Sequence, residues 1–81
     1  MTGKSEVRQI PLTALVMNEP SPFLEEEVNV LEGVLGPRSS YPPVLVRWDE
    51  SRQAYLVVGR QESYALAARR GEPIIPCIQV W

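Results

Sequence analysis

The stretch with the most chemical promise is Leu56-Val57-Val58-Gly59-Arg60-Gln61-Glu62-Ser63-Tyr64. An apolar run that closes on glycine and turns into a helical pattern is a strand-to-helix junction. There the unpaired N–H groups of the first turn and the positive dipole end can hold a phosphate or carboxylate. Arg60 would add a charge-assisted contact. In the plainer alternative Gly59 permits a tight turn and Arg60 is solvated, because one glycine falls well short of a Walker loop or dinucleotide fingerprint. Gly59, Arg60, Gln61, Glu62 and Ser63 therefore form the candidate anion site, and no catalytic residue is assigned.

Other reactive side chains read as structural. Cys77 lies among Ile75, Ile78 and Val80 with no adjacent base to lower its pKa. Glu25, Glu26 and Glu27 could offer oxygen ligands to Mg²⁺, but consecutive helical residues point about 100° apart and do not converge on one ion. No metal site is assigned. Asp49 and Glu50 fit a polar hairpin turn, and the aromatic residues are scattered. The exception is Trp81, a terminal aromatic on an expected edge strand, which makes Pro76, Ile78, Val80 and Trp81 the candidate interface.

The composition removes whole classes of chemistry. Among 81 residues there is no histidine and one cysteine, so a Ser-His-Asp or Cys-His constellation, a Cys/His zinc site and an intramolecular disulfide are all ruled out. The length suits one domain over residues 1–81, with a core of modest size. No apolar run approaches a membrane span, and Met1-Thr2-Gly3-Lys4-Ser5-Glu6 is no secretory signal, so a cytoplasmic protein is expected. The formal charge of −2 hides an asymmetry, because Arg47, Arg52, Arg60, Arg69 and Arg70 fall in the second half. That excess is weak for a nucleic-acid module, so contact with nucleic acid is expected to be indirect or weak.

These residues must be positioned by a small α+β unit. Val7-Arg8-Gln9-Ile10 closed by Pro11 predicts a short strand, and residues 13–17 fit either a helical turn or an extended connection. Ser21 as cap, Pro22 at the first helical position and three glutamates predict a helix start. Leu24, Val28, Leu31 and Leu35 draw one apolar stripe along that helix until Gly36 and Pro37 stop it. Val44 to Trp48 and Ala54 to Val58 predict an antiparallel hairpin, so apolar that each strand needs covering on two faces or by a partner. Gln61 to Arg70 predicts a second helix ending at Gly71, and Ile74 onward a last strand, with Pro76 marking an edge or a strand start. The order is strand, helix, strand, strand, helix, strand.

Ile10-Pro11-Leu12, Pro42-Pro43-Val44-Leu45-Val46, Tyr55-Leu56-Val57-Val58-Gly59, Tyr64-Ala65-Leu66-Ala67-Ala68 and Gly71 before Ile75-Pro76 occur in that order. In this combination the chain resembles the ParB N-terminal-like and sulfiredoxin superfamily from about Val7 to Val80. The resemblance implies a small fold whose strand-glycine-helix junction holds nucleotide phosphates, ATP in sulfiredoxin and CTP in partition proteins. The departures are informative. A sulfiredoxin-type Gly-Cys-His-Arg motif would put its cysteine on Arg60 or Gln61, so sulfinic acid reduction is not expected. A partition-type Gly-Glu-Arg-Arg motif would put its arginines on Gln61 and Glu62 or on Glu62 and Ser63. The early Asn-Pro-x-x-Pro-Arg stretch has Phe23 where the arginine would be. The chain also stops at Trp81, before the helix-turn-helix domain of partition proteins would begin.

Two functions follow as expectations. The first is a non-catalytic ParB/sulfiredoxin-like binding module with a blocked pocket at Gly59 and an exposed apolar edge at Pro76 to Trp81. Its partner would be another protein or a second copy, in an accessory role beside DNA-handling proteins, with no membrane involvement. The alternative is a nucleotide-binding or nuclease-like enzyme that uses Arg60, the helix amides and Glu62 with ATP or CTP and Mg²⁺.

Overall fold

The computed structural model describes residues 6–36 and 40–80. In chain order these form β1 (Val7–Pro11), a 3₁₀ turn (Leu12–Ala14), β2 (Leu15–Val16), α1 (Leu24–Leu35), β3 (Val44–Asp49), β4 (Ala54–Gly59), α2 (Gln61–Arg69) and β5 (Ile74–Gln79). One mixed sheet holds all five strands in the order β1-β5-β3-β4-β2. β1 runs antiparallel to β5, β5 parallel to β3, β3 antiparallel to β4, and β4 parallel to β2.

Side-chain alternation sets which face is covered. Val44 and Val46 of β3, Val57 of β4, and Ile75 and Cys77 of β5 are buried, whereas Arg47, Val58 and Ile74 between them are exposed. The buried set joins Val28 of α1 and Leu66 and Ala67 of α2 in one apolar cluster. The expected stripe on α1 supplies its side of that cluster, with Leu24, Leu31 and Leu35 packed around it. The opposite sheet face keeps Leu45, Leu56, Pro76 and Ile78 half-buried.

Four details correct the sequence reading. Residues 13–17 contribute a fifth strand, β2, too short to have declared itself by alternation. The first helix starts at Leu24 with Phe23 as its cap residue, and no side chain caps it. Ser21 is engaged earlier: its Oγ accepts from Phe23 N–H at 3.1 Å and its carbonyl from Leu24 N–H at 3.0 Å, which makes residues 21–24 a turn leading into the helix.

The second helix ends at Arg69, with Gly71 in the left-handed region at φ 72°. The largest correction concerns Pro76, which lies inside β5, a strand flanked by β1 and β3, and marks no edge. Val80 N–H donates to Val46 O at 2.7 Å, so even-numbered positions of β5 aim their main-chain groups at β3. The donor that Pro76 lacks would face position 42, ahead of the start of β3 at Val44, and no ladder bond is lost. Pro76 and Ile78 therefore lie within the sheet, Val80 directly follows β5, and Trp81 lies outside the described residues.

Candidate functional site

Between the end of β4 at Gly59 and the start of α2 at Gln61 the chain makes its sharp turn on a single residue, and that residue is Arg60. Its φ of 56° and ψ of 47° are left-handed, a conformation that costs a residue with a Cβ about 1–2 kcal/mol. Gly59 serves a different need. It stands opposite Leu45 across the hairpin, at the point where the β3 register shifts, and a Cβ there would lie 2.8 Å from Leu45 Cδ1 and 3.2 Å from Leu45 Cβ. The glycine lets two strands approach.

The side chains that follow point to different tasks. Arg60 Nη1 donates to Pro43 O at 3.2 Å, tying the turn to the segment before β3. Gln61 reaches back some forty residues: its Nε2 donates to Glu19 O at 3.0 Å and its Oε1 accepts from Ser21 N–H at 2.8 Å. This amide clamp fastens the loop before α1 onto the start of α2. Glu62 turns toward α1 and lines a groove there. Ser63 is fully buried on the same helix face as Leu66 and Ala67, and its Oγ has no hydrogen-bond partner among the described residues. The N–H groups of Ser63 and Tyr64 both donate to Arg60 O, at 3.0 and 3.4 Å, so one of the four N–H groups that open the helix is already satisfied within it. The five predicted residues are contiguous, yet their side chains do not converge.

The arginines of the second half are largely spoken for. Arg52 pairs with Asp49 at 3.4 Å, and Arg69 Nη1 reaches Asn29 Oδ1 and Glu32 Oε1, each at 3.0 Å. Arg70 donates to Gly36 O at 3.0 Å and lies 5.7 Å from the centre of the Tyr41 ring. Tyr41 in turn donates to Glu72 Oε1 at 2.6 Å; burial first, and then this carboxylate, hold its hydroxyl well above the usual tyrosine range. These contacts lock the end of α2 to the chain entering β3. Arg47 is the one that reaches a different setting, an open groove of about 610 Å³ at the hairpin end shared with Arg8, Trp48, Tyr55, Gln79 and Val80. Trp48 and Tyr55 meet edge-to-face there at 5.0 Å.

Cys77 is buried, and burial pushes its thiol up to about 11, far from a reactive thiolate. Among the described residues no group of three or more acidic or thiol side chains is placed to hold a metal ion, and no helix is long and apolar enough to cross a membrane.

The second groove was not anticipated from the sequence. It lies along α1, about 490 Å³ in volume, and is lined by Phe23, Val30, Leu31 and Val34 with Glu26, Glu27 and Glu62 around them. The signal was present in the spacing: Phe23, Val30 and Val34 follow at seven and four residues, a second apolar stripe beside the one that packs inward.

No protein-family model matches the chain, and no curated protein sequence matches it significantly. Solved structures do. The C-terminally truncated chromosome-partitioning protein ParB from Caulobacter crescentus, complexed with CTP-gamma-S, superposes with a TM-score of 0.71 at 24% identity over 93% of this chain and 44% of that one. A free serine kinase in complex with AMP gives 0.65 at 18% identity over 98% of this chain and 32% of the kinase. Sulfiredoxin from Arabidopsis thaliana gives 0.65 at 16% identity over 93% of this chain and 84% of that one. The chain thus spans less than half the length of the ParB and kinase chains. Its fold is ParB/sulfiredoxin-like, a small α+β unit of two helices on a five-stranded mixed sheet.

Proposed function

We propose that this chain is a non-catalytic binding module on a ParB/sulfiredoxin-like fold, working through protein contacts in an accessory role beside DNA-handling partners. The observation that carries this reading is the Gln61 clamp. At the start of α2, where an anion would meet free amides, the Gln61 side chain is engaged by Glu19 O and Ser21 N–H, which brings the loop before α1 against that end of the helix. Two further features agree with it. Glu62 adds a negative charge in the first turn, which opposes a triphosphate while suiting the helix dipole. Arg60, the nearest cation, is already bonded to Pro43 O. On this reading the junction takes no nucleoside triphosphate with Mg²⁺, and no chemical step is assigned to its residues. A cytoplasmic setting goes with this reading.

Direct nucleic-acid binding has weak support, since Arg52, Arg69 and Arg70 are paired within the fold and the net charge is −2. One observation favours the nucleotide-binding alternative: the Oγ of Ser63 at the start of α2, without a partner among the described residues, is a polar group a ligand could satisfy. A thermal-shift series with ATP, CTP and ADP, with and without Mg²⁺, separates the readings. The binding-module reading expects no rise in Tm at millimolar nucleotide, whereas a saturable, Mg²⁺-dependent rise selects the enzyme reading.

A further inference from the structure

Helix α1 carries apolar side chains on two faces, and only one of them is spent on the core. Leu24, Val28, Leu31 and Leu35 pack inward. Phe23, Val30 and Val34 stand outward, 62%, 66% and 78% exposed, and line the groove that Leu31 floors. At 100° per residue these three positions fall within roughly 40° of one line along the helix, with Glu26 and Glu27 to either side of it. Glu62 of α2 adds a third carboxylate, and among the described residues no basic side chain lines the groove. An apolar floor between carboxylates is the counterpart of an amphipathic segment whose apolar stripe is flanked by lysine or arginine.

We infer that this groove docks a basic amphipathic helix of a partner protein. The inference rests on the binding-module reading and specifies the chemistry of its partner. A second copy of the chain is the wrong occupant. A two-fold pairing through this face would set Glu26, Glu27 and Glu62 of each copy against those of the other, and like charges at an interface are costly. Nor can an extended peptide satisfy itself here by strand addition, since the groove is on a helix and offers no open main-chain edge. The three exposed apolar side chains supply contact area and the three carboxylates supply register and sign.

The test uses the whole chain and a synthetic amphipathic peptide of roughly 18 residues, long enough for several helical turns, with leucines at i, i+4, i+7 and i+11 flanked by lysines. A second peptide has glutamate at every lysine. In ¹⁵N–¹H spectra the lysine peptide is expected to shift residues 23–34 and Glu62, and to bind more weakly as salt rises from about 50 to about 300 mM. The glutamate peptide is expected to leave the spectrum unchanged. Val30→Ser with Val34→Ser, both at exposed positions, should weaken the lysine peptide by at least about tenfold while the rest of the spectrum stays in place. Replacing Glu26, Glu27 and Glu62 by Gln should flatten the salt dependence. Equal binding of both peptides, shifts that fall elsewhere, or no shifts at millimolar peptide would each overturn the inference. So would concentration-dependent shifts of Phe23, Val30 and Val34 without peptide, which would make a second copy the occupant. Because nucleotide silence at residues 59–63 is read separately, loss of this inference leaves the binding-module reading to stand or fall on its own test.

Discussion

Removing the Gln61 clamp gives a direct physical test of what fastens the loop before α1 to the start of α2. The side chain makes two hydrogen bonds, 2.8 Å from Ser21 N–H and 3.0 Å to Glu19 O, across a sequence gap of 40 and 42 residues. A neutral hydrogen bond contributes about 1 kcal/mol net, and a donor left without a partner in a partly buried setting adds to the loss. The Ser21 bond is part-buried and the Glu19 bond exposed, so Gln61→Met, which keeps the length and drops both bonds, should cost about 1–2 kcal/mol. For a domain of this size that corresponds to a fall in Tm of about 5–12 °C. Gln61→Ala should cost slightly more, because it also removes packing. Urea unfolding measures the cost, and hydrogen exchange at Ser21 N–H locates it: protection there should fall while protection in β3 and β5 follows global stability. If Gln61→Met leaves both the midpoint and the Ser21 exchange rate unchanged, the clamp has no energetic weight and the case for a self-occupied junction loses its footing.

The other residues at the junction make separate expectations. Gly59→Ala places a Cβ 2.8 Å from Leu45 Cδ1 and 3.2 Å from Leu45 Cβ, so it should destabilise by about 1–3 kcal/mol, and a double-mutant cycle with Leu45→Ala should show that the two positions are coupled. Ser63→Ala removes a fully buried hydroxyl that has no partner among the described residues, so stability should hold or rise by about 1 kcal/mol; a loss of about 1 kcal/mol or more would mean the hydroxyl is bonded. Burial pushes the Cys77 thiol from its ordinary value of 9.0 up to about 11 in the folded chain. Its contribution is therefore complete below pH 9 and is lost as pH rises through the folded value, about 2–3 kcal/mol in all. Tyr41, also raised, adds to the alkaline loss. Urea midpoints taken from pH 8 to 11 should fall steeply in the wild type and less in Cys77→Ala, and an unchanged slope in that variant would contradict the assignment.

Local patterns revealed the elements, and long-range ones decided what the junction does. The inward stripe of α1 and the β3–β4 hairpin were readable because their periods of 3.6 and 2 recur over several residues. Strand β2 was not readable, since two residues cannot display a period. Pro76 was misplaced for a related reason. Whether a missing N–H matters depends on which neighbouring strand it faces, and that is fixed by the register with β3, some thirty residues away. Similarly, the order around Gly59 suggested an anion cradle, because glycine before a helix is a local signature. Its neighbour Leu45 and the Gln61 bridge to residues 19–21 come from distant parts of the chain and carry no local mark. The outward stripe of Phe23, Val30 and Val34 is the opposite case. It was legible, but one apolar stripe is enough to explain a surface helix, and a second acquires meaning only when its exposure is known.

The measurement that bears most directly on the central claim is a ¹⁵N–¹H titration of the intact chain with CTP and with ATP, each with Mg²⁺, followed at the amides of Gly59, Arg60, Gln61, Glu62 and Ser63. With the junction held by its own Gln61 side chain, these resonances should stay in place to millimolar nucleotide, in the wild type and in Ser63→Ala alike. Saturable shifts at these five amides, abolished by Ser63→Ala, would contradict the account and identify the junction as a nucleotide site.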